Sequence, residues 1–149
     1  MREYQNIWKK VLSQGEEVRH EFSIAKTYRY LGIIVCFLVA VLVGLKVIWL
    51  GVLIFLFGLF HFGWFLKKAN AFAFTSKRVI VHRGVFGTEA ITVDYDKITD
   101  VKVREPFLEK VFLKSGSLII NTAGTPKPEI VLKHVPEPYE LKKKLCSLK

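Results

Sequence analysis

The longest apolar segment of this sequence decides most of what the chain can fold into. Of the 36 residues at positions 31–66, 29 are apolar, five are glycine, and the only others are Lys46 and His61. A straight helix of that length would measure about 54 Å, whereas the hydrocarbon core of a bilayer is about 30 Å thick. Because a turn beside Lys46 would let this lysine reach water, the segment predicts a two-helix transmembrane hairpin within residues 28–67, with spans at about residues 28–45 and 47–66.

Basic residues flank the predicted hairpin on both sides and indicate its orientation. They include Lys9, Lys10, Arg19, Lys26 and Arg29 before the apolar segment and Lys67, Lys68, Lys77, Arg78 and Arg83 after it. Cytoplasmic segments next to transmembrane helices are enriched in Lys and Arg. The sequence therefore predicts a multi-pass protein of the cytoplasmic membrane, with both termini in the cytoplasm and Lys46 outside.

Residues 1–27 are predicted to form a cytoplasmic N-terminal leader. Its apolar residues recur at helical spacing, which predicts a short amphipathic helix with Lys9 and Lys10 on the polar side. The apolar positions are Tyr4, Ile7, Trp8, Val11 and Leu12. Residues 17–24 alternate in part between polar and apolar, so a strand is also possible there, with Val18, Phe22 and Ile24 on one face.

Residues 70–149 have the pattern of a small β domain. Short β-rich segments at residues 71–75, 79–85, 90–93, 98–103, 118–120 and 130–132 are separated by turn residues. Such spacing is typical of an antiparallel sandwich or barrel. One helical turn is predicted within residues 106–112, and an amphipathic helix is predicted after Glu137. The expected core positions are Phe72, Phe74, Val79, Val81, Ile91, Val93, Ile98, Val101, Val103, Leu118, Ile120, Val131, Leu141 and Leu145.

No residue pattern typical of an enzyme or a metal site occurs. The carboxylates nearest to a cluster are Asp94, Asp96 and Asp100, but the glycine and the final glutamate of a calcium loop are missing. The four histidines are scattered without metal-ligand spacing, and no nucleotide-binding or nucleophile motif is present. We therefore predict no catalytic residues, no cofactor, no metal and no small-molecule substrate. For His61, inside the second span, both a neutral interfacial side chain and a functional intramembrane group stay open.

The basic excess is the strongest chemical signal in the sequence. The formal net charge is +10, and sixteen Lys and Arg against nine Asp and Glu follow from position 67 onward. Each basic residue near the surface attracts anionic lipid by about 1 kcal/mol. The candidate headgroup contacts are Lys67, Lys68, Lys77, Arg78 and Arg83, although the same residues could serve as a topology signal alone. Nucleic acid is not expected as a partner, because the domain is tethered and carries no nucleic-acid-binding motif.

Three stretches of the β domain resemble a known family. They are residues 74–86 (FTSKRVIVHRGVF), 91–101 (ITVDYDKITDV) and 116–120 (GSLII), with the lead-in GEEV at residues 15–18. Together with a preceding hairpin, they resemble the bacterial pleckstrin-homology-like (PH-like) membrane proteins of the second bacterial PH family. The resemblance implies a mainly β, seven-stranded PH-like barrel capped by a C-terminal helix, and it implies no enzymatic activity.

Two functions remain open from the sequence. The first is a non-catalytic, membrane-anchored interaction or scaffold module at the cytoplasmic surface, which binds an unidentified protein partner or forms a homo-oligomer through exposed strand edges. The alternative is a module that binds anionic lipid headgroups through the juxtamembrane basic cluster.

Overall fold

The computed structural model describes residues 4–122 and 130–148. The first half of the chain is mainly helical, in the order α1 (Gln5–Val11), β1 (Val18–Phe22), α2 (Lys26–Gly44), α3 (Ile48–Gly58), a π-helical segment (Leu59–Phe65) and α4 (Leu66–Ala69). The second half contains β2 (Asn70–Thr75), β3 (Arg78–Arg83), β4 (Glu89–Asp94), a 3-10 turn (Tyr95–Lys97), β5 (Ile98–Arg104), a π-helical turn (Glu109–Leu113), β6 (Ser115–Thr122), β7 (Ile130–Pro136) and α5 (Pro138–Leu148).

The strands form two antiparallel sheets that enclose the main core. One sheet has the order β1-β2-β3-β4 and the other the order β5-β6-β7; we refer to the two together as the barrel. Inward-facing side chains of both sheets meet those of α5, whose Leu141 and Leu145 are buried. The predicted antiparallel architecture and C-terminal helix are therefore confirmed.

The helical hairpin is inserted between two neighbouring strands of the first sheet. Strand β1 precedes the hairpin and pairs with β2, which follows it, so that Phe22 lies opposite Phe72. Only residues 23–25 separate β1 from α2, and α4 ends directly before β2. The leader therefore supplies an edge strand to the sheet, and residues 70–149 alone would lack that strand.

Strand β7 corrects one position of the predicted core. Ile130 and Leu132 are buried, whereas Val131 is only half-buried. Ile130 lies opposite Ile120, and Leu132 lies opposite Leu118 on β6. Because three consecutive apolar residues show no alternation, the pairing with β6 decides which of them face inward. Ile91 and Val103 are partly buried at the margin of the core. Besides Ile130 and Leu132, the core contains three more residues that the prediction omitted: Phe22, Tyr95 and Val135.

Helix α1 covers the outer face of the first sheet. Tyr4 and Trp8 are buried in a second apolar cluster with Ala71, Ala73 and Ile80. Ala71 and Ala73 are two positions apart on β2, so they face the same side of the sheet. Their small side chains leave room there for the large rings of Tyr4 and Trp8. The amphipathic helix predicted in the leader is present, and its apolar side packs on protein.

The two long helices pack closely through small residues. Gly32, Cys36, Ala40 and Gly44 recur every four residues on α2 and therefore share one side of the helix. A Cβ added to Gly51 would lie 2.6 Å from the Ala40 carbonyl oxygen, and one added to Gly58 would lie 2.5 Å from the Cys36 Cβ atom. Small residues at these positions let helix backbones approach each other.

The observed helix bounds lie close to the predicted spans. The helices Lys26–Gly44 and Ile48–Ala69 are long and apolar enough to cross a membrane, by length and composition alone. The second is continuous through α3, the π-helical segment and α4. The turn between the helices contains Lys46, as the sequence predicted.

Candidate functional site at the hairpin end of the barrel

The strand register defines two opposite ends of the barrel. Asn70 lies opposite Arg83 at the end where the hairpin joins, and we refer to this as the hairpin end. At the other end, the far end, Val18 lies opposite Thr75, and the 3-10 turn follows β4. The two ends of β2 are separated by five residue steps, or about 17 Å.

This separation divides the five basic residues that the sequence grouped together. Lys67 and Lys68 lie on α4 and Arg83 ends β3, all at the hairpin end. Lys77 lies in the turn between β2 and β3, and Arg78 begins β3, both at the far end. The five residues therefore do not form one cluster.

Arg78 is held in an ion pair inside the protein. Its Nη2 lies 2.9 Å from Oε2 of Glu16, and its Nε donates to Oε1 of Glu16 at 3.0 Å. The Glu16 side chain is fully buried, and its Oε1 also accepts a 2.7 Å hydrogen bond from Thr75 Oγ1. Burial alone would raise the pKa of Glu16, but hydrogen bonds from Arg78, Thr75 and the Ser13 backbone, with the Arg78 charge, lower it to about 2. We refer to Glu16, Thr75 and Arg78 as the far-end lock.

Arg83 contacts the opposite sheet. Its Nη2 donates a 2.6 Å hydrogen bond to the backbone oxygen of Val131 on β7. The side chain thereby bridges the two sheets at the hairpin end and is only partly exposed. Of the five predicted contacts, Lys67 and Lys68 line one cavity together.

That cavity is a cleft of about 780 Å³ between α1, the end of the second long helix and the segment after β3. We refer to it as the α1 cleft. Its basic side chains are Lys10, Lys67, Lys68 and His82, and none of its lining residues that the structure describes is acidic. The rest of its wall combines apolar residues, among them Ile7, Val11, Trp64 and Val85, with the polar residues Gln5, Asn6 and Thr88.

His82 belongs to the lining of the α1 cleft. Its Nδ1 is buried and has no hydrogen-bond partner within the described part of the chain. Burial lowers the pKa of His82, which favours the neutral ring near pH 7. A neutral imidazole carries one donor and one acceptor nitrogen, and the buried Nδ1 of His82 is screened from a group that enters the cleft.

A second set of contacts fastens the first turn of α2 to the other sheet. The backbone N–H of Ala25 donates to the His134 oxygen at 2.7 Å, and the Tyr28 ring stacks on the His134 ring with centroids 3.9 Å apart. Thr27 Oγ1 donates to the Leu113 backbone oxygen. Arg29 Nη1 donates to the Gly63 oxygen at 3.1 Å within the hairpin. The barrel is therefore held against the base of the hairpin from both sheets.

The remaining polar candidates have ordinary structural partners. Asp94 pairs with Lys97 at 3.3 Å and Asp100 with Lys102 at 3.5 Å, both on the surface. The His61 ring stacks on the ring of Phe57 and on that of Phe65 in the second long helix. Within residues 4–122 and 130–148, no group of three or more His, Cys, Asp or Glu side chains could hold a metal ion.

Sequence reasoning did not group the residues of the α1 cleft. Lys10 and His82 lie 72 positions apart, and α1 must pack on the outer face of the sheet before they line one cavity. The only local signal was the apolar spacing within α1, which predicts a helix but not the surface that it covers.

Comparison with known proteins identifies the family. Residues 23–149 match the family model described as "Bacterial PH domain", and this range includes both long apolar helices. The chain belongs to this family. The family predicted from the sequence is confirmed, and the chain contains a PH-like domain.

Two solved structures share the fold of this bacterial PH-domain protein. One is a DUF1696 family protein with a pleckstrin-homology domain from Shewanella loihica PV-4, at 13% identity, with a TM-score of 0.54 and coverage of 98% of this chain and 93% of that chain. The other is a pleckstrin-homology domain from Shewanella amazonensis SB2B, at 16% identity, with a TM-score of 0.52 and coverage of 94% and 80%. At these identities the likeness shows the fold alone. No curated protein matches the chain.

Proposed function

We propose that this protein is a non-catalytic, membrane-anchored PH-like interaction module whose two long helices cross the cytoplasmic membrane and whose barrel lies on the cytoplasmic surface. The observation that carries the proposal is the insertion of the hairpin between β1 and β2. With three connecting residues on one side and none on the other, the barrel cannot move far from the membrane surface or turn freely on it.

The exposed surface of the hairpin supports membrane anchoring. Leu42, Ile48 and Trp49 are 68%, 73% and 81% exposed, and most apolar side chains along both helices are exposed in the same way. An apolar surface of this extent is far larger than a soluble monomer presents to water. Burial in hydrocarbon removes it from water, and the helical backbone satisfies its own hydrogen bonds there.

Reporter fusions test the topology. Fusions at Met1 and at Lys149 should be active only with a cytoplasmic reporter, whereas a cysteine in place of the exposed Lys46 should react with an impermeant thiol reagent added outside. The Cys36→Ser, Cys146→Ser background keeps this reaction specific. An external reporter signal at either terminus would contradict the proposed orientation.

The free edge of β4 is the surface that we propose for a protein partner or a second copy of the chain. Strand β4 pairs with β3 on one side, and within the described residues no strand pairs with its other side. Its Glu89, Ala90 and Thr92 are exposed. The edge strand β5 carries more charge, including Asp100 and Lys102, and charged edges discourage strand addition. An extended peptide could therefore extend the first sheet at β4.

Site-specific photocrosslinking in native membranes tests this edge. A photoreactive residue in place of Thr92 should give a discrete adduct with a partner or a second copy, and one in place of Lys102 should not. Adding Thr92→Lys to a chain that carries the photoreactive residue at Ala90 should reduce the adduct, because a charged side chain on an edge strand discourages strand addition. Equal labelling at Thr92 and Lys102 would argue against β4 as the interface.

The α1 cleft favours a second function, the recognition of an anionic lipid headgroup. A phosphate could contact Lys10 and Lys68, while an acyl chain could lie along Trp64. The absence of acidic groups from the described lining supports an anion over a cation. Because residues 70–149 lack β1 and α1, this function has to be tested on the full chain.

A further inference from the structure

Several large apolar side chains are exposed on the barrel, away from the two long helices. The four most exposed are Phe86 at 91%, Phe107 at 75%, Phe112 at 71% and Leu108 at 66%, followed by Tyr139 of α5 at 58% and Val111 at 54%. Single exposed apolar residues are common on protein surfaces. These four are different because they belong to only two connecting segments, residues 84–88 and residues 105–114.

Both segments lie at the hairpin end of the barrel. The first connects Arg83 to Glu89, which are paired opposite each other at that end. The second connects β5 to β6, and its Leu113 backbone oxygen accepts a hydrogen bond from Thr27 Oγ1 in the first turn of α2. Each sheet therefore extends one segment with exposed apolar side chains toward the hairpin.

Contacts with the hairpin fix how far these segments reach. The Gly84 N–H donates to the Ala69 oxygen at 2.8 Å, and Val85 lines the α1 cleft together with Trp64. On the other side, Thr27 of α2 donates to the Leu113 oxygen. Both segments therefore reach the level of the first turn of α2 and of Trp64, where a transmembrane hairpin would meet the headgroup layer.

The charge around the second segment fits a membrane surface. Arg104, Lys110 and Lys114 are exposed beside the apolar side chains. Aromatic rings with neighbouring basic groups suit the headgroup layer, because the rings leave water while the cations stay near lipid phosphates.

We propose that residues 84–88 and 105–114 insert their apolar side chains into the interfacial layer of the bilayer that the hairpin crosses. The barrel then contacts the membrane through the hairpin and through one segment from each sheet. This proposal rests on the membrane anchoring proposed above, and it adds a defined orientation of the barrel on the bilayer.

Nitroxide labels on the full chain test the insertion. Single cysteines replace Phe86, Phe107 or Phe112 in the Cys36→Ser, Cys146→Ser background, and the protein is reconstituted into nanodiscs of phosphatidylglycerol and phosphatidylcholine. Collision rates with oxygen, which partitions into lipid, are compared with those of a water-soluble nickel complex. Labels at all three positions should show high oxygen and low nickel accessibility. Labels in place of Ser76 and Asp96, exposed at the far end, should show the reverse.

A label in place of Leu53, exposed on α3, separates the two proposals. High oxygen accessibility at Leu53 together with nickel-accessible labels at Phe86, Phe107 and Phe112 would overturn the insertion and leave the anchoring intact. Nickel accessibility at Leu53 would overturn the anchoring itself. A second copy covering these segments would exclude both reagents and broaden the spectra by dipolar coupling between labels, and that result would also overturn membrane insertion.

Discussion

The two ends of the barrel use basic residues in opposite ways. At the far end, Arg78 is paired with a fully buried Glu16, and the Tyr95 hydroxyl donates to the Thr75 backbone oxygen at 2.7 Å. Burial, with the Glu16 charge, raises the pKa of Tyr95 to about 12, so this hydroxyl keeps its proton. At the hairpin end, Lys68 is exposed beside a cleft whose described lining has no acid, and the exposed Lys10 of α1 lines the same cleft. The positive charge therefore stabilises the fold at the far end and is available to a ligand at the hairpin end.

Removal of the buried carboxylate should have the largest effect. Glu16→Gln leaves Arg78 without its counter-charge, and the loss of one partner from a buried pair costs about 3–5 kcal/mol of unfolding free energy. Urea denaturation in detergent, followed by Trp8 fluorescence with Trp49 and Trp64 replaced by Phe, measures the change. Lys77→Gln, one residue from Arg78 but exposed, is the matched control and should stay within about 0.5 kcal/mol. If Glu16→Gln changed the unfolding free energy no more than Lys77→Gln does, the far-end lock would contribute no stability.

Acid should reduce the stability that the far-end lock contributes. The ordinary pKa of Glu16 is 4.5, and its pKa in the folded protein is about 2. Between these two pH values the unfolded chain binds a proton that the folded protein does not. The part of the unfolding free energy that comes from ionised Glu16 is therefore complete above about pH 4.5 and is lost as the pH falls toward 2. The contribution is about 3 kcal/mol.

Comparison with Glu16→Gln isolates this contribution from other titrating groups. The difference in unfolding free energy between the two proteins should be largest near neutral pH and should shrink as pH falls below about 4.5. A difference that stays constant across this range would show that the charge of Glu16 is not what stabilises the far end.

The exposed lysines of the α1 cleft should affect ligand binding and leave stability nearly unchanged. If the α1 cleft binds an anionic headgroup, Lys10→Ser with Lys68→Ser should weaken phosphatidylglycerol binding by about 1 kcal/mol per lysine, or roughly 30-fold together. Native mass spectrometry of the full chain in detergent measures the bound lipid. Phosphatidylcholine should bind equally to both proteins, and salt should weaken the difference.

The matched control for this experiment removes two exposed lysines from the far end. Lys77→Ser with Lys97→Ser changes the net charge by the same amount, and phosphatidylglycerol binding should stay at the level of the unmodified protein. If both double variants lose binding equally, net charge and not the α1 cleft controls lipid recognition. Replacement of Lys77, Arg78 and Arg83 together is less informative, because Arg78 belongs to the far-end lock.

Properties set by local sequence were predictable. The hairpin follows from hydropathy and length, the strands follow from alternation and turn residues, and the C-terminal helix follows from the spacing of Leu141 and Leu145. The motif that carried the family resemblance is likewise contiguous, at residues 74–86. Each of these signals lies within a window of neighbouring residues, so no knowledge of the packed chain is needed to interpret it.

The tertiary structure alone decided which distant residues meet. Glu16 and Arg78 are 62 positions apart in the sequence. They meet because β1, which precedes the hairpin, pairs with β2, which follows it. Basic residues that are close in sequence were separated for the same reason: a strand carries the chain about 17 Å from Asn70 to Thr75, so Lys68 and Lys77 lie at opposite ends. Sequence determines each element, whereas the role of a charged side chain depends on the element packed against it.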